Sequence, residues 1–203
     1  MARGTEGYAA EAARLVAQYE SIAFADVHAA LLPLLPRPPA SVLDVGAGTG
    51  RDAAALAALG HHVLAVEPTA ELREEGRRLH PSVRVAGRLE WLDDALPDLP
   101  RLASRNARFD LVMLVAVLMH LDAAERARAM VPLAAAVAPG GLLYMTLRHG
   151  PVPAGRRMFE IPDAEICALA EAHGLALALQ EPHGDMLGRA GVHWSMLAFR
   201  RPA

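Results

Sequence analysis

The sequence predicts an α/β fold: a doubly wound, mostly parallel sheet with a C-terminal antiparallel strand pair and helices on both faces. Three observations predict it. Short apolar runs alternate with helical stretches from Ser41 to Gly174, the pattern of parallel strands joined by covering helices. Phe109 to Val115 reads as a continuous apolar strand, the kind a parallel sheet buries on both faces. Leu175 to Leu179 and Val192 to Phe199 then follow one another with no helix between them, so they are expected to pair antiparallel.

In chain order, residues 5 to 35 read as helix in two segments, stopped by the proline group Pro36-Arg37-Pro38-Pro39. Ser41 to Val45 is a short buried strand, followed by a glycine turn and an alanine-rich helix from about Arg51 to Leu59. Alanine gives up no side-chain entropy on ordering, which favours that helix, and Gly60 closes it as a C-terminal cap. His62 to Val66 is the second strand and Thr69 to Leu79 the second helix. The third strand has two candidates, Val83 to Ala86 and Leu89 to Leu92, because both cluster or alternate apolar residues. A helix over Asp122 to Val137 ends at Pro139-Gly140-Gly141, Leu142 to Leu147 is the next strand, and Asp163 to His173 is a helix capped by Gly174. No internal repeat or linker divides the chain. Residues 1–203 are therefore read as one domain, with an N-terminal helical cap over 1–40 and a core over 41–203.

At 203 residues the chain has length for one substantial core. Hydrophobic residues make up 53% and charged residues 21%, which excludes extensive disorder. A net charge of −3 with scattered arginines signals no nucleic-acid partner. The single cysteine, Cys167, excludes an intramolecular disulfide and a cysteine zinc cluster, and it reads as core rather than nucleophile. His61 and His62, adjacent on a strand, point to opposite faces and make poor joint metal ligands, so no metal is expected. Leu111 to Met119 is too short to span a bilayer, and Met-Ala-Arg-Gly-Thr-Glu carries no apolar signal core. The expectation is a cytoplasmic enzyme with no membrane partner; oligomeric state leaves no mark in the sequence.

The most informative segment is Val42-Leu43-Asp44-Val45-Gly46-Ala47-Gly48-Thr49-Gly50, which follows a strand and opens a helix. Glycines there remove side chains where a ligand approaches the backbone. The dinucleotide fingerprint needs a glycine three positions after Gly48, where Arg51 stands, and the loop lacks the Gly-Lys-Ser/Thr end of a P-loop. Glu67 ends the second strand, where a carboxylate accepts hydrogen bonds from both hydroxyls of a ribose.

The spacing Asp-x-Gly-x-Gly-x-Gly resembles the first motif of the class I, Rossmann-like, seven-strand superfamily of S-adenosylmethionine-dependent methyltransferases. The resemblance covers nearly the whole chain from Ser41 onward: Phe109-Asp110-Leu111-Val112-Met113-Leu114 matches the fourth strand, Met119-His120-Leu121 the segment after it, and Pro139-Gly140-Gly141 the turn into the fifth. It implies a methyl transfer that uses S-adenosyl-L-methionine and leaves S-adenosyl-L-homocysteine. It also implies a contact set of Asp44, Gly46, Ala47, Gly48, Gly50, Glu67, Pro68, Asp94, Ala95 and Val115. Asp44 would orient the loop or meet the amino group, and Glu67 the ribose. Asp94 would meet the adenine amino group with Asp93 in reserve, unless both merely cap the next turn.

Several subclasses are disfavoured by what the sequence lacks. Val115-Ala116-Val117-Leu118 stands where amino-directed DNA methyltransferases carry an Asn/Asp-Pro-Pro-aromatic motif, Cys167 is not preceded by proline, and no double-glutamate loop is present. The expected acceptor is a small molecule. Residues for it belong on loops at the carboxyl ends of the strands. His120, Arg148 and His149 are the catalytic candidates, the histidines because they titrate near neutrality. His120 also reads as a polar residue opening the helix at Asp122. The loops 148–160 and 183–191 form pocket walls, with Arg156 and Arg157 as receivers for an acidic group and Asp185 and Arg189 as weaker candidates. Tyr8 and Tyr19 lie in the segment that, by resemblance, folds over the cofactor. Two other readings differ in class: a regulatory protein that binds the cofactor without turnover, and a nicotinamide oxidoreductase, which the failed fingerprint disfavours.

Overall fold

All seven apolar runs enter one sheet in a computed structural model, which describes Thr5, residues 7–81 and residues 87–203. The strands are β1 (Ser41–Val45), β2 (His62–Val66), β3 (Arg88–Leu92), β4 (Phe109–Val115), β5 (Val137–His149), β6 (Ala176–Gly184) and β7 (His193–Arg200). They lie in the order β3-β2-β1-β4-β5-β7-β6. The first five pair parallel, while β7 pairs antiparallel with both β5 and β6. The order reverses between β1 and β4, and a crevice forms beyond the carboxyl ends of strands at such a point.

The helices are α1 (Ala12–Glu20), α2 (Phe24–Val27), α3 (Arg51–Ala58), α4 (Ala70–Leu79), α5 (Pro100–Ser104), α6 (Ala123–Ala136) and α7 (Asp163–Ala172). Strand alternation splits the apolar side chains between two faces. Leu43, Val112, Leu143 and Met145 pack with Met130, Leu133 and Ile166 of α6 and α7. Val42, Leu111, Met113 and Tyr144 pack with Leu31, Ala53 and Leu56 on the other side. Cys167 sits half-buried against the first of these cores, and burial pushes its thiol pKa up. No helix among the described residues is long and apolar enough to cross a membrane.

Several boundaries differ from expectation for identifiable reasons. The N-terminal segment breaks into three pieces, α1, the single turn α2 and a 3-10 turn at Leu32–Leu34, rather than two helical segments. The third strand is Arg88–Leu92; the alternative at residues 83 to 86 lies outside the described residues. Pro139 lacks the N–H a continuing helix needs and favours an extended residue before it, so α6 stops at Ala136 and β5 begins at Val137. The glycine pair then sits inside β5 as an irregularity, with a register shift against Phe109 and Leu111. β4 is not apolar throughout: exposed Asp110 accepts from the Ser41 N–H and hydroxyl, both at 2.8 Å, tying the starts of β1 and β4.

A buried polar chain docks the N-terminal segment onto the sheet. His28, fully buried, lies 3.1 Å from Asp52 Oδ2 through Nε2 and 3.0 Å from the Tyr144 hydroxyl through Nδ1. A carboxylate only accepts, so Nε2–H donates, and Nδ1 accepts from Tyr144 when the ring is neutral. Arg51 completes the chain at 2.7 and 2.9 Å from the two Asp52 oxygens. Burial alone would raise the Asp52 carboxyl, but the His28 hydrogen bond and charge, with Arg51, outweigh it and hold the pKa at about 2.

A depressed carboxylate pKa stabilises the fold above its ordinary value near 3.8, and that contribution is lost as pH falls toward about 2. Urea unfolding between pH 5 and pH 2 is therefore expected to show wild type losing about 2 kcal/mol more than Asp52→Asn. Parallel curves for the two proteins would contradict the pairing.

Candidate active site

A cavity of about 470 Å³ opens at the carboxyl ends of β1, β2 and β4, under α1. Its floor is the glycine loop. Gly46 and Ala47 donate their N–H groups to the Val66 carbonyl at 2.8 and 3.0 Å, which ties the loop to the end of β2. A Cβ on Gly46 would meet Val117 Cγ2 at 2.5 Å, so this glycine admits the loop that follows β4. Gly48 has φ +57°, and a Cβ there would make only ordinary contact with the Tyr19 ring at 3.5 Å. Backbone conformation, not crowding, is what asks for glycine at that position. Gly50 faces elsewhere: its Cβ would strike Trp91 at 2.6 Å, and it does not line the cavity. Every other residue assigned to the cofactor by resemblance does line it, namely Asp44, Gly46, Ala47, Gly48, Glu67, Pro68, Asp94, Ala95 and Val115.

The three carboxylates of this wall differ in how far the protein satisfies them. Glu67 Oε2 accepts from the Gly48 N–H at 2.9 Å and Oε1 from the Thr69 N–H at 2.7 Å. Burial raises its pKa against the pull of those donors. An ionised carboxylate has about four acceptor positions, and with the Thr69 hydroxyl also reaching this one, part of its capacity is left for the cavity. Asp44 is buried at 2% exposure, and its Oδ2 has no hydrogen-bond partner among the described residues. Burial drives its pKa well above the carboxylate range, Asp52 adds to the push, and Arg51 opposes it. Asp94 accepts from Ala95 N–H at 3.0 Å and from Leu102 N–H at 2.8 Å, so it caps α5 from outside that helix. Asp93 points away: it sits 3.5 Å from both Arg73 and Arg101 and does not line the cavity.

The far end of the cavity brings together His120 and Arg148 but not His149. Adjacent residues on a strand face opposite ways, and His149 lines a second recess of about 390 Å³, whose wall Arg148 also reaches. There it lies 2.9 Å from Ser195 Oγ and stacks on His193, and burial lowers its pKa. His120 ends a 3-10 turn (Leu118–His120) and is nearly buried. Its Nδ1 is 2.9 Å from the Arg157 carbonyl, which only accepts, so Nδ1 carries the proton. Nε2 then presents a lone pair to the Tyr8 hydroxyl at 2.9 Å.

The arginines weighed as receivers for an acidic group are engaged. Arg157 binds Glu125 at 2.7 Å, Asp122 at 3.3 Å and the His120 carbonyl at 2.5 Å, pinning its loop to the capping box that starts α6. Arg156 stacks on the Tyr8 ring at 4.0 Å and meets Glu11 at 3.3 Å.

Sequence reasoning gave Tyr8 and Tyr19 little weight, and both line the cavity. Leu15 and Tyr19, four residues apart, share a face of α1 that packs on Leu72 of α4, and that helical spacing is the one local signal that could have found Tyr19. Glu20 accepts from Thr49 Oγ1 at 2.6 Å, and Arg51 donates to the Tyr19 carbonyl at 3.1 Å, so α1 is fastened to the glycine loop itself. Ala116, also in the wall, holds a positive φ of 60°, with its N–H on Thr146 Oγ1 at 3.0 Å. Such strain gathers at functional sites, and no pattern of residue types announced it.

A family model for a methyltransferase domain matches residues 42–141. No curated protein matches the chain. Among solved structures, a 1,6-didemethyltoxoflavin-N1-methyltransferase from Burkholderia thailandensis, with bound 1,6-didemethyltoxoflavin and S-adenosylhomocysteine, superposes with a TM-score of 0.72 at 24% identity, covering 97% of this chain and 89% of that one. The magnesium protoporphyrin IX methyltransferase of Synechocystis PCC 6803, with bound SAM, gives 0.69 at 19% identity over 96% and 84% of the two chains. A TehB-like SAM-dependent methyltransferase from Corynebacterium glutamicum gives 0.63 at 21% identity over 95% and 98%. At these identities the likeness is one of fold, and the methyltransferase family model covers the glycine loop, Glu67 and the strand after them. Residues 42–141 thus match a methyltransferase domain, and the chain has the Rossmann-like, seven-strand fold of S-adenosylmethionine-dependent methyltransferases.

Proposed function

We propose that this chain methylates a small-molecule acceptor at the expense of S-adenosyl-L-methionine, releasing S-adenosyl-L-homocysteine. The observation that carries the reading is the unpartnered Asp44 Oδ2, buried in the cavity wall beside a glycine loop that Glu67 holds open. A buried carboxylate oxygen without a donor is costly, and an ammonium group of a ligand supplies the donor. Asp44 would hold the amino group, Glu67 the ribose hydroxyls, and Asp94 with Ala95 and Val115 the adenine end. When bound, the cofactor supplies an electrophilic methyl group on a sulfonium.

The chain's own contribution is alignment, a dry site and removal of a proton. Tyr8 and Tyr19 roof the cavity and keep water out. His120 Nε2, its lone pair fixed by the Nδ1–Arg157 bond, is the base for a hydroxyl or ammonium acceptor, which would take the place of the Tyr8 hydroxyl on it. Arg148 faces the acceptor end. A small acceptor suits a cavity enclosed on the α1 side, and the Burkholderia enzyme is bound to such a ligand, 1,6-didemethyltoxoflavin.

Burial lifts both Asp44 and Glu67, and ligand donors favour their ionised forms, so binding expels protons. Affinity for S-adenosylhomocysteine is expected to rise with pH from the ordinary carboxylate range up to the raised values and then level. Calorimetry in buffers of different ionisation enthalpy should show proton release that is smaller in Asp44→Asn than in wild type. Release that is identical in the two proteins would remove Asp44 from the site.

Turnover is checked by S-adenosylhomocysteine release over a panel of phenols, amines, thiols and carboxylic acids. At least one acceptor class is expected to react, and His120→Ala to slow a hydroxyl acceptor by roughly 10²–10⁴ with cofactor affinity retained. Tight cofactor binding with no release from any member would favour the regulatory reading instead.

A further inference from the structure

The arginines around the cavity have carboxylate partners, with one exception among the described residues. Arg51 meets Asp52 at 2.7 Å, Arg156 meets Glu11 at 3.3 Å, Arg14 also pairs with Glu11, and Arg189 meets Asp185 at 2.5 Å. Arg148 has none. It is 7% exposed, donates from Nη2 to the Pro151 carbonyl at 2.9 Å and from Nη1 to the Gly150 carbonyl at a long 3.5 Å, and its Nε is buried with no partner. A guanidinium offers five N–H donors, so most of its capacity is unused. Burial lowers its pKa and Arg189 adds to the effect, as expected of a cation short of counter-charge.

The nearby acid does not discharge it. Asp185 takes Arg189 on both oxygens and the Trp194 indole N–H at 3.0 Å, and these bonds hold its own pKa far down. Around Arg148 the cavity wall is apolar and soft. Trp194 is its direct cross-strand partner, and Met119, Met158, Met186 and Met196 line the same space. Thioethers make favourable contacts with aromatic rings, and a buried cation is tolerated when an anion completes it.

We infer that the methyl acceptor is a flat, ring-bearing molecule with an anionic group, a carboxylate or a phosphate ester, which pairs with Arg148 while its ring lies among Trp194 and the methionines. The inference rests on the methyltransferase reading of the same cavity. Arg148 acts as a binding residue for the acid; the methylated atom lies on another part of the acceptor, toward His120.

The test is calorimetric titration of protein saturated with S-adenosylhomocysteine. The probes are hydroxybenzoates, aminobenzoates and hydroxynaphthoates, their methyl esters and amides, and the corresponding aryl phosphates. Acids are expected to bind at least about tenfold more tightly than their esters, the scale of one charge-assisted contact. Arg148→Gln should erase the preference, and Arg148→Lys, which keeps charge but loses the planar fork, should retain part of it. Whether carboxylates or phosphates bind better names the anion. Esters binding as well as acids, an acid preference that survives Arg148→Gln, or no binding by any member would overturn the inference. The acid–ester comparison in wild type decides the matter even where a variant fails to fold. S-adenosylhomocysteine binding in the same samples separates the two levels: its absence sinks the methyltransferase reading, whereas its presence without acid preference sinks this inference alone.

Discussion

One carboxylate, reaching from the end of β2 across to the loop after β1, organises this end of the molecule. Glu67 takes the N–H of Gly48 on one oxygen and that of Thr69 on the other, so it fastens the glycine loop and the start of α4 together. The Gly46 and Ala47 N–H groups reach the neighbouring Val66 carbonyl, which ties the loop to β2 at a second point. The N-terminal segment depends on that fixed loop. Thr49 and Arg51 hold the end of α1, which sets Tyr19 above Gly48 and Tyr8 beside His120.

Several buried ionisable groups are fully engaged within the protein. Asp52 shares its charge with His28 and Arg51, Asp94 is spent on backbone N–H groups, and Arg126 is held by Glu165 at 2.7 Å on each of two nitrogens. On the cavity wall two groups are left incomplete: Asp44 Oδ2 lacks a donor and Arg148 lacks an acid. They are opposite in sign, one set at the glycine loop and the other on β5. A cofactor with an ammonium group and an acceptor with an acidic one would answer them separately.

The strands from Ser41 onward were legible because each is an apolar run bounded by glycine, proline or charge, and a parallel sheet leaves that mark on sequence. β5 began earlier than expected because its first residues pair through Val137 alone before the glycine irregularity. α5 escaped notice because five residues carry no periodicity, and its cap is Asp94, well upstream in the chain. The glycine loop and Glu67 could be read from spacing, since the motif is local and its context is a strand and a helix. Gly50 has the motif's spacing but serves Trp91, a partner that only the fold reveals. The placement of Tyr8 on His120 and of Arg156 on Tyr8 joins distant segments, and nothing in local sequence encodes such pairs. Strand alternation, by contrast, was available and keeps His149 out of the main cavity that Arg148 lines.

The most direct test of the account is a crystal structure of the protein grown with S-adenosylhomocysteine. The expected density places the amino group against Asp44 Oδ2 and the ribose hydroxyls on Glu67, with the Glu67–Gly48 contact intact. A nucleoside bound with its amino end away from Asp44, or a cavity that closes around Tyr19 and excludes it, would contradict the account.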